Sequence, residues 1–489
     1  MLFNSLHFLV FFPVVVGLYY GLPPRWRGAL LLLASYYFYM SWRAEYALLL
    51  LATTALDYYS GVRMSRLPQK HQRRPWLALS LISNLGTLFI FKYFNFFRDA
   101  AVALAGALHL PVGTGPALGL LLPVGVSFYT FQSVGYIIDV YQGRLVAEQN
   151  FGRFALFVAF FPQLVAGPIE RGGHMLPQFR REHAFDYARI VGGLRLMAWG
   201  LFKKVVVADR LALLVNPVFN QPRQHPEGPL LVLATLAFTF QIYGDFSGYT
   251  DMARGAARAL GFEFNLNFRQ PYQSASVPEF WRRWHISLSG WFRDYLYIPL
   301  GGSRVGPARA YFNLLAVFLI SGLWHGANLT FVAWGGLHGL YLVLSTWARP
   351  ARAWLAARTG LAAHPGLRRG LGVAITFVLV AYAWIFFRAN TLADALFISR
   401  HLLTGWHLNG HQAATLLLDF SQHYRPELAV AVFAVGLMLL VEYCGSQRSP
   451  QAWVAAQPVA ARWGGYVGLG LLILYLGIFN STSFIYFQF

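Results

Sequence analysis

The chain has 489 residues, of which 57% are hydrophobic and only 12% charged. That is half the ~25% charge content of soluble globular proteins, too little to cover a water-facing surface, which argues against a soluble enzyme or binding module. Lys and Arg number 39 against 19 Asp and Glu, a formal net charge of +20; in a soluble protein this balance would point to nucleic acid, but no RNA-binding motif or basic arm is present, and basic loops are what the positive-inside rule gives a multi-pass membrane protein.

In chain order, the apolar run Phe8–Gly21 leads straight into further apolar sequence. It lacks a positive n-region and a small-residue cleavage site, so it reads as a first membrane helix rather than a signal peptide. Arg25 and Arg27 follow, and the densest basic cluster is Arg63, Arg66, Lys70, Arg73 and Arg74. Trp76–Phe91 is a span. If the cluster before it is cytoplasmic, the uncharged Ala100–Leu121 segment is an outer loop, and Pro123–Val140 returns inside. Phe154–Val165 is too short for a crossing, which takes ~20 helical residues. It ends at Gly167-Pro168, with Arg171, Arg180 and Arg181 beyond, and predicts a re-entrant hairpin. Non-helical backbone at such depth is tolerated only inside protein or along a wet cavity. Lys203 and Lys204 fall inside the apolar pattern Ile190–Leu214. Leu230–Ile242, Leu371–Phe387, Leu428–Leu440 and Gly465–Phe479 are further spans, Arg269–Arg309 and Arg349–Arg369 cytoplasmic basic segments, and Thr404–Glu427 an outer one. The expectation is an all-α polytopic membrane protein with about 11 transmembrane helices plus re-entrant segments. It forms one membrane domain over 1–489, without internal repeats. The single cysteine, Cys444, permits no intrachain disulfide and no Cys-based metal site, and reads as a small core residue.

Chemistry could reside in three places. The segment Ser321-Gly322-Leu323-Trp324-His325-Gly326-Ala327-Asn328 lies between the apolar runs Tyr311–Ile320 and Leu329–Val343. An ionisable residue at membrane depth is costly and faces a cavity or a partner, and an ordinary pKa of ~6.5 lets His exchange protons near neutrality. Gly322 and Gly326 share one helical face, open to a substrate or to a neighbouring helix. Asn328 is expected one turn above His325, to orient it or a substrate oxygen. The alternative is a structural histidine bridging a helix contact. The segment Glu279–Ser289 combines Trp281, Arg282, Arg283, Trp284 and His285. Arg recognises phosphate and Trp stacks on flat rings, which suits a phosphate-bearing donor; Trp and Arg together are equally ordinary as interfacial anchors. The segment Gln241–Arg254 places Tyr243, Asp245, Ser247 and Asp251 within an apolar run. A structural ion pair, with Arg254 a candidate partner for Asp251, is favoured there over a metal or proton site, because no His sits at ligand spacing. Walker, dinucleotide, Gly-Xaa-Ser-Xaa-Gly and HExxH motifs are absent, so ATP-driven pumping, a serine elbow and zinc hydrolysis find no support.

Several motifs fall in a consistent order: Pro123-Val124-Gly125-Val126-Ser127-Phe128-Tyr129, Phe161-Pro162-Gln163-Leu164-Val165-Ala166-Gly167-Pro168, Tyr243-Gly244-Asp245-Phe246-Ser247-Gly248-Tyr249, Glu279-Phe280-Trp281-Arg282-Arg283-Trp284-His285, Trp324-His325-Gly326-Ala327-Asn328, Trp384-Ile385-Phe386-Phe387-Arg388-Ala389 and Phe484-Ile485-Tyr486-Phe487-Gln488-Phe489. Together they resemble the membrane-bound O-acyltransferase superfamily, in particular the bacterial branch that includes alginate O-acetyltransferase membrane subunits and the D-alanyl transfer protein of teichoic acid modification. The start, Met1-Leu2-Phe3-Asn4-Ser5, is nearer the alginate type. The resemblance implies a ring of tilted helices around a central funnel, a catalytic His325, and His285 near the cytoplasmic mouth supporting activity. It implies no bound cofactor. The donor substrate would be a cytoplasmic thioester, acyl-CoA (acetyl-CoA) or an acyl-carrier-protein thioester, and the acceptor an exported surface polysaccharide such as alginate or cellulose. The implied setting is the bacterial inner membrane, with the lipid bilayer, a periplasmic acyltransferase and polysaccharide synthesis and export machinery as partners. On this reading His325 takes the hydroxyl proton, and Asn328 or Trp324 orients the ring or holds the oxyanion. Arg282, Arg283 and Lys203 bind the phosphates of coenzyme A, while Trp281, Tyr243, Asp245 and Ser247 complete the substrate side. The alternatives are D-alanyl or longer acyl transfer, and a non-catalytic polymer or lipid transporter, a class that often shows internal repeats.

Overall fold

The computed structural model describes residues 1–110, 115–406, 410–445, 454, 456–479, 484 and 485, with the side chains of 410–426 and 445 outside the description. Among the described residues all regular structure is helical and no strand occurs, consistent with the need to satisfy every backbone group internally in lipid. Among the described residues, seven helices are long and apolar enough to cross a membrane: Lys70–Ala107, Gly228–Ala259, Pro307–His325, Leu329–Trp347, Pro365–Arg388, Glu427–Cys444 and Val459–Leu476. The sequence expectation of about 11 also counted helices such as Val126–Gln142, whose Ser127, Thr130, Gln132 and Ser133 are buried. Lys70–Ala107 runs as one 38-residue helix with a π-helical turn at Phe89–Tyr93, so the expected outer loop begins later than Ala100. Cys444 is exposed, not a core residue. Of the closing motif, 486–489 lie outside the described residues, as do the side chains of His407, His411 and His423.

The chain divides into two compact units, Met1–Leu194 with Ala253–Asn265, and Arg195–Met252 with Leu266–Phe489. In the first, Tyr46–Arg66, Lys70–Leu88 and Val126–Gln142 pack on one another. Asp57 is buried among them and accepts hydrogen bonds from Ser80 Oγ at 2.5 Å and Asn84 Nδ2 at 2.8 Å. The short apolar run of 154–165 forms an interrupted helix: Phe151–Ala159, capped by Asn150, then a break at Phe160, then the fully buried Phe161–Leu164. Val126–Gln142 starts at Gly125, where φ is +76° and a Cβ would lie 2.5 Å from the Leu164 carbonyl oxygen; only glycine meets both conditions.

In the second unit, Pro307–His325 and Leu329–Trp347 form a tight hairpin, with Pro365–Arg388 packed on its second arm. The arms cross where Gly322 meets Gly335. A Cβ on Gly322 would lie 2.2 Å from the Phe331 carbonyl oxygen, and one on Gly335 2.2 Å from that of Phe318. Of the two uses open to the Gly322 face, the structure uses it for helix contact.

Candidate active site

The hairpin fixes the position of His325. It is the last residue of the first arm; Gly326 is extended at φ −161° and ψ 148°, and Asn328 caps the second arm. Asn328 Oδ1 accepts from the Thr330 amide at 3.0 Å, and its Nδ2 donates to the Asn390 carbonyl at 3.0 Å. The helical stacking of Asn328 over His325 expected from their spacing is therefore absent, because the helix ends between them. An Asn at this position satisfies an otherwise unpaired amide of the helix start, and its side chain is committed to that task.

His325 is 4% exposed and His285 fully buried. Their ring centroids stand 6.5 Å apart at 73°, a pairing across 40 residues of sequence that the motifs imply only jointly. His325 sits edge-on to Trp324 at 4.9 Å, Trp334 at 5.0 Å and Phe387 at 5.4 Å. His285 contacts Phe246 at 4.7 Å and Trp324 at 6.3 Å. His285, on the segment between helices, is pushed down to about 3 by burial.

The backbone at His285 is left-handed, φ 42° and ψ 54°, uncommon for a residue with a Cβ. Asn267 pins the segment: its carbonyl accepts from the Ile286 amide at 3.0 Å, and its Oδ1 accepts from the Ser287 amide at 3.1 Å and from Ser287 Oγ at 2.8 Å. Such conformations persist where surrounding contacts over-determine them. Nothing in the Asn267 sequence context signals this role.

Trp281 is buried, with its Nε1 donating to His338 Nδ1 at 3.3 Å and its ring edge-on to Phe318 and Trp334. It is thus part of the aromatic core, and not the open face for a donor ring that the sequence reading assigned. His338 escaped that reading, although an ionisable residue inside the apolar run Leu329–Val343 was the available signal. Trp384 completes the wall, stacked on Trp334 at 5.7 Å.

The basic residues assigned to the donor separate. Arg283 Nη2 pairs with Glu279 Oε1 at 2.7 Å. Arg282 is exposed and forms no ion pair among the described residues. Lys203 does not suit phosphate binding: it is 3% exposed, its Nζ lies 2.6 Å from Asp251 Oδ2, and Glu442 approaches at 4.0 Å. Lys204 bridges Asp209 at 2.8 Å and Asp245 at 2.7 Å. Tyr243 donates to Glu442 Oε1 at 2.7 Å, and Asp245 Oδ2 accepts from the Ile485 amide at 2.7 Å. Ser247 is buried on the same helix. Tyr243, Asp245 and Lys203 therefore belong to a charge network internal to this unit, the structural reading of that motif. The network reaches the histidines through Phe246, one residue from Asp245.

Residues 149–384, which contain both histidines, match the model of the MBOAT, membrane-bound O-acyltransferase family. The chain is 40% identical over 476 residues to the probable alginate O-acetylase AlgI of Pseudomonas aeruginosa, covering 94% of this chain and 86% of the relative. It is 35% identical over 454 residues to the peptidoglycan O-acetyltransferase of Helicobacter pylori, covering 86% and 83%. It is 30% identical over 295 residues to the teichoic acid D-alanyltransferase of Streptococcus thermophilus, covering 55% and 68%.

Proposed function

The chain belongs to the membrane-bound O-acyltransferase family, and from that premise we propose that it takes an acetyl group from a cytoplasmic thioester and passes it to hydroxyls of an exported envelope polysaccharide, with His325 as general base. The observation that carries this reading is the pair of buried imidazoles, His325 and His285, 6.5 Å apart within one aromatic enclosure. A hydroxyl is almost never ionised at neutral pH and needs a positioned base to attack a carbonyl. A ring nitrogen of His325 removes the hydroxyl proton as the oxygen–carbon bond forms. The carbon–sulfur bond then breaks, and the proton returns to the departing thiolate, leaving an ester and a thiol.

The other residues divide the remaining work. Trp324, in contact with both imidazoles, supplies an indole N–H toward the developing oxyanion. His285 holds the geometry on its constrained segment. Arg282 is the cation left for the phosphates of acetyl-coenzyme A or of a carrier-protein thioester. Acetyl is preferred to D-alanyl because the similarity extends further along relatives named for O-acetyl transfer. The setting is the bacterial inner membrane, beside a periplasmic acyltransferase and the machinery that synthesises and exports the polymer.

The test is the acetyl-ester content of the host's surface polysaccharide with wild-type protein, His325→Ala and His285→Ala, membrane levels being matched by blot. Loss of ester with His325→Ala at matched level is the expected result. Retained ester would remove His325 from catalysis and favour a scaffold or transport role.

A further inference from the structure

The first unit contains a cavity of about 540 Å³ that the acyl-transfer reading leaves unused, lined by Arg25, Arg27, Arg153, Arg180 and Arg181 among its residues. Its size falls within the ~300–1,000 Å³ typical of small-molecule sites. The lining thus includes five arginines and one carboxylate residue, Glu182. Behind the lining, Glu148 holds Arg153 at 3.2 Å and Arg180 at 2.7 Å, which fixes those two side chains and neutralises about one charge. Arg27 is held without being neutralised: its Nε donates to the Leu22 carbonyl at 3.1 Å, its Nη1 to the His183 carbonyl at 2.8 Å, and its guanidinium lies 5.2 Å from the Tyr19 ring centroid. Arg25 and Arg181 form no ion pair among the described residues and are exposed. A concavity lined mainly by one sign of charge favours a ligand of the opposite sign.

Two further features give the chemistry of that anion. The first turns of Pro24–Met40 and Phe151–Ala159 both contribute to the lining, and the dipole of a helix start favours negative charge. The lining also has an apolar part, Leu31, Leu32, Leu156 and Phe262, which suits a ligand with a greasy part beside its charge. His183 on the rim is held below its ordinary value by burial and by Arg189, Arg181 and Arg27, offset in part by its bond to the Gln178 carbonyl; the local potential is positive.

We propose that this cavity binds the phosphate group of an amphiphilic molecule. Guanidinium groups match phosphate oxygens in paired hydrogen bonds, and the apolar wall takes the attached chain. Two sources carry this chemistry: the headgroup of an anionic phospholipid, and a phosphorylated thioester carrier such as coenzyme A. The site stands on this unit's own residues and does not rest on His325.

The experiment uses the purified full chain and the double variant Arg25→Gln/Arg181→Gln, chosen because neither side chain holds a structural partner. The control, Arg349→Gln/Arg368→Gln, removes the same charge from another exposed basic segment. Retention of phosphatidylglycerol against phosphatidylcholine is measured by native mass spectrometry, and coenzyme A binding by calorimetry in neutral detergent. The expected result is at least a tenfold loss of one ligand in the double variant and less than a twofold change in the control. Loss confined to phosphatidylglycerol assigns the site to a bilayer lipid, and loss confined to coenzyme A assigns it to the soluble carrier. No loss of either ligand, or equal loss in the control, would overturn the proposal.

Discussion

At the residue scale, several side chains changed role once their neighbours were known. Lys203 reads in sequence as a cation in an apolar run, and its partners Asp251 and Glu442 lie 48 and 239 residues further on, beyond anything periodicity can reveal. Breaking a buried pair from one side leaves an uncompensated charge, a loss of roughly 3–5 kcal/mol. Lys203→Met should therefore lower the thermal midpoint and the yield of folded protein while leaving donor affinity of the folded fraction unchanged; lost affinity at an unchanged midpoint would return Lys203 to the donor site. Asn328 makes a parallel case. As a helix cap, its replacement by Ala should cost about 1 kcal/mol, and Asp or Ser should restore most of it. If Asn328→Asp recovered stability without recovering turnover, Asn328 would have a chemical role besides capping. The burial of His325, by contrast, was legible from sequence, because an ionisable residue at membrane depth is costly and faces a cavity or a partner. His338 carried the same signal without a motif around it.

At the element scale, the spacing of Gly322 and Gly326 left two uses open, substrate approach or helix contact, and only the packing decides between them. Gly335 is the partner, and its Cβ would meet backbone that cannot yield. Gly335→Ala should part the arms and cost at least the ~1–3 kcal/mol of an overpacked core, with activity lost because His325 ends the displaced arm. Gly336→Ala, whose Cβ would meet only the Leu319 side chain at 3.5 Å, should be tolerated. Equal sensitivity of the two in a thermal-shift measurement would contradict this account of the hairpin. Helix ends were harder to read than helix existence: the sequence gives no sign that the arm stops at His325 until Gly326-Ala327-Asn328 is recognised as a break and a cap. The long helix Lys70–Ala107 was shortened in the sequence reading, since its basic first turns and its Gly- and Ala-rich last turns both resemble loops.

At the scale of the whole molecule, a charged fraction of only 12% and the recurring apolar runs were enough for a polytopic membrane protein. Buried, polar helices such as Val126–Gln142 obscured the number of crossings. Lys70–Ala107 offers a direct topological test. Its 38 residues extend about 57 Å at ~1.5 Å per residue, well beyond a hydrocarbon core of ~30 Å, so its ends should emerge on opposite sides. In a Cys444→Ala background, Gln69→Cys should react with an impermeant maleimide from the cytoplasmic side only and Leu108→Cys from the outer side only. Reaction of both from one side would overturn this orientation.

The most direct measurement of the central claim is thiol release from acetyl-coenzyme A by purified protein supplied with acceptor polysaccharide, comparing wild type with His325→Ala at equal folded concentration. Removal of a general base costs about 10²–10⁴-fold in rate, and a fall in that range with the thermal midpoint unchanged is the predicted result. Turnover within threefold of wild type would contradict the assignment of His325 as the base, and with it the mechanism built on the two buried imidazoles.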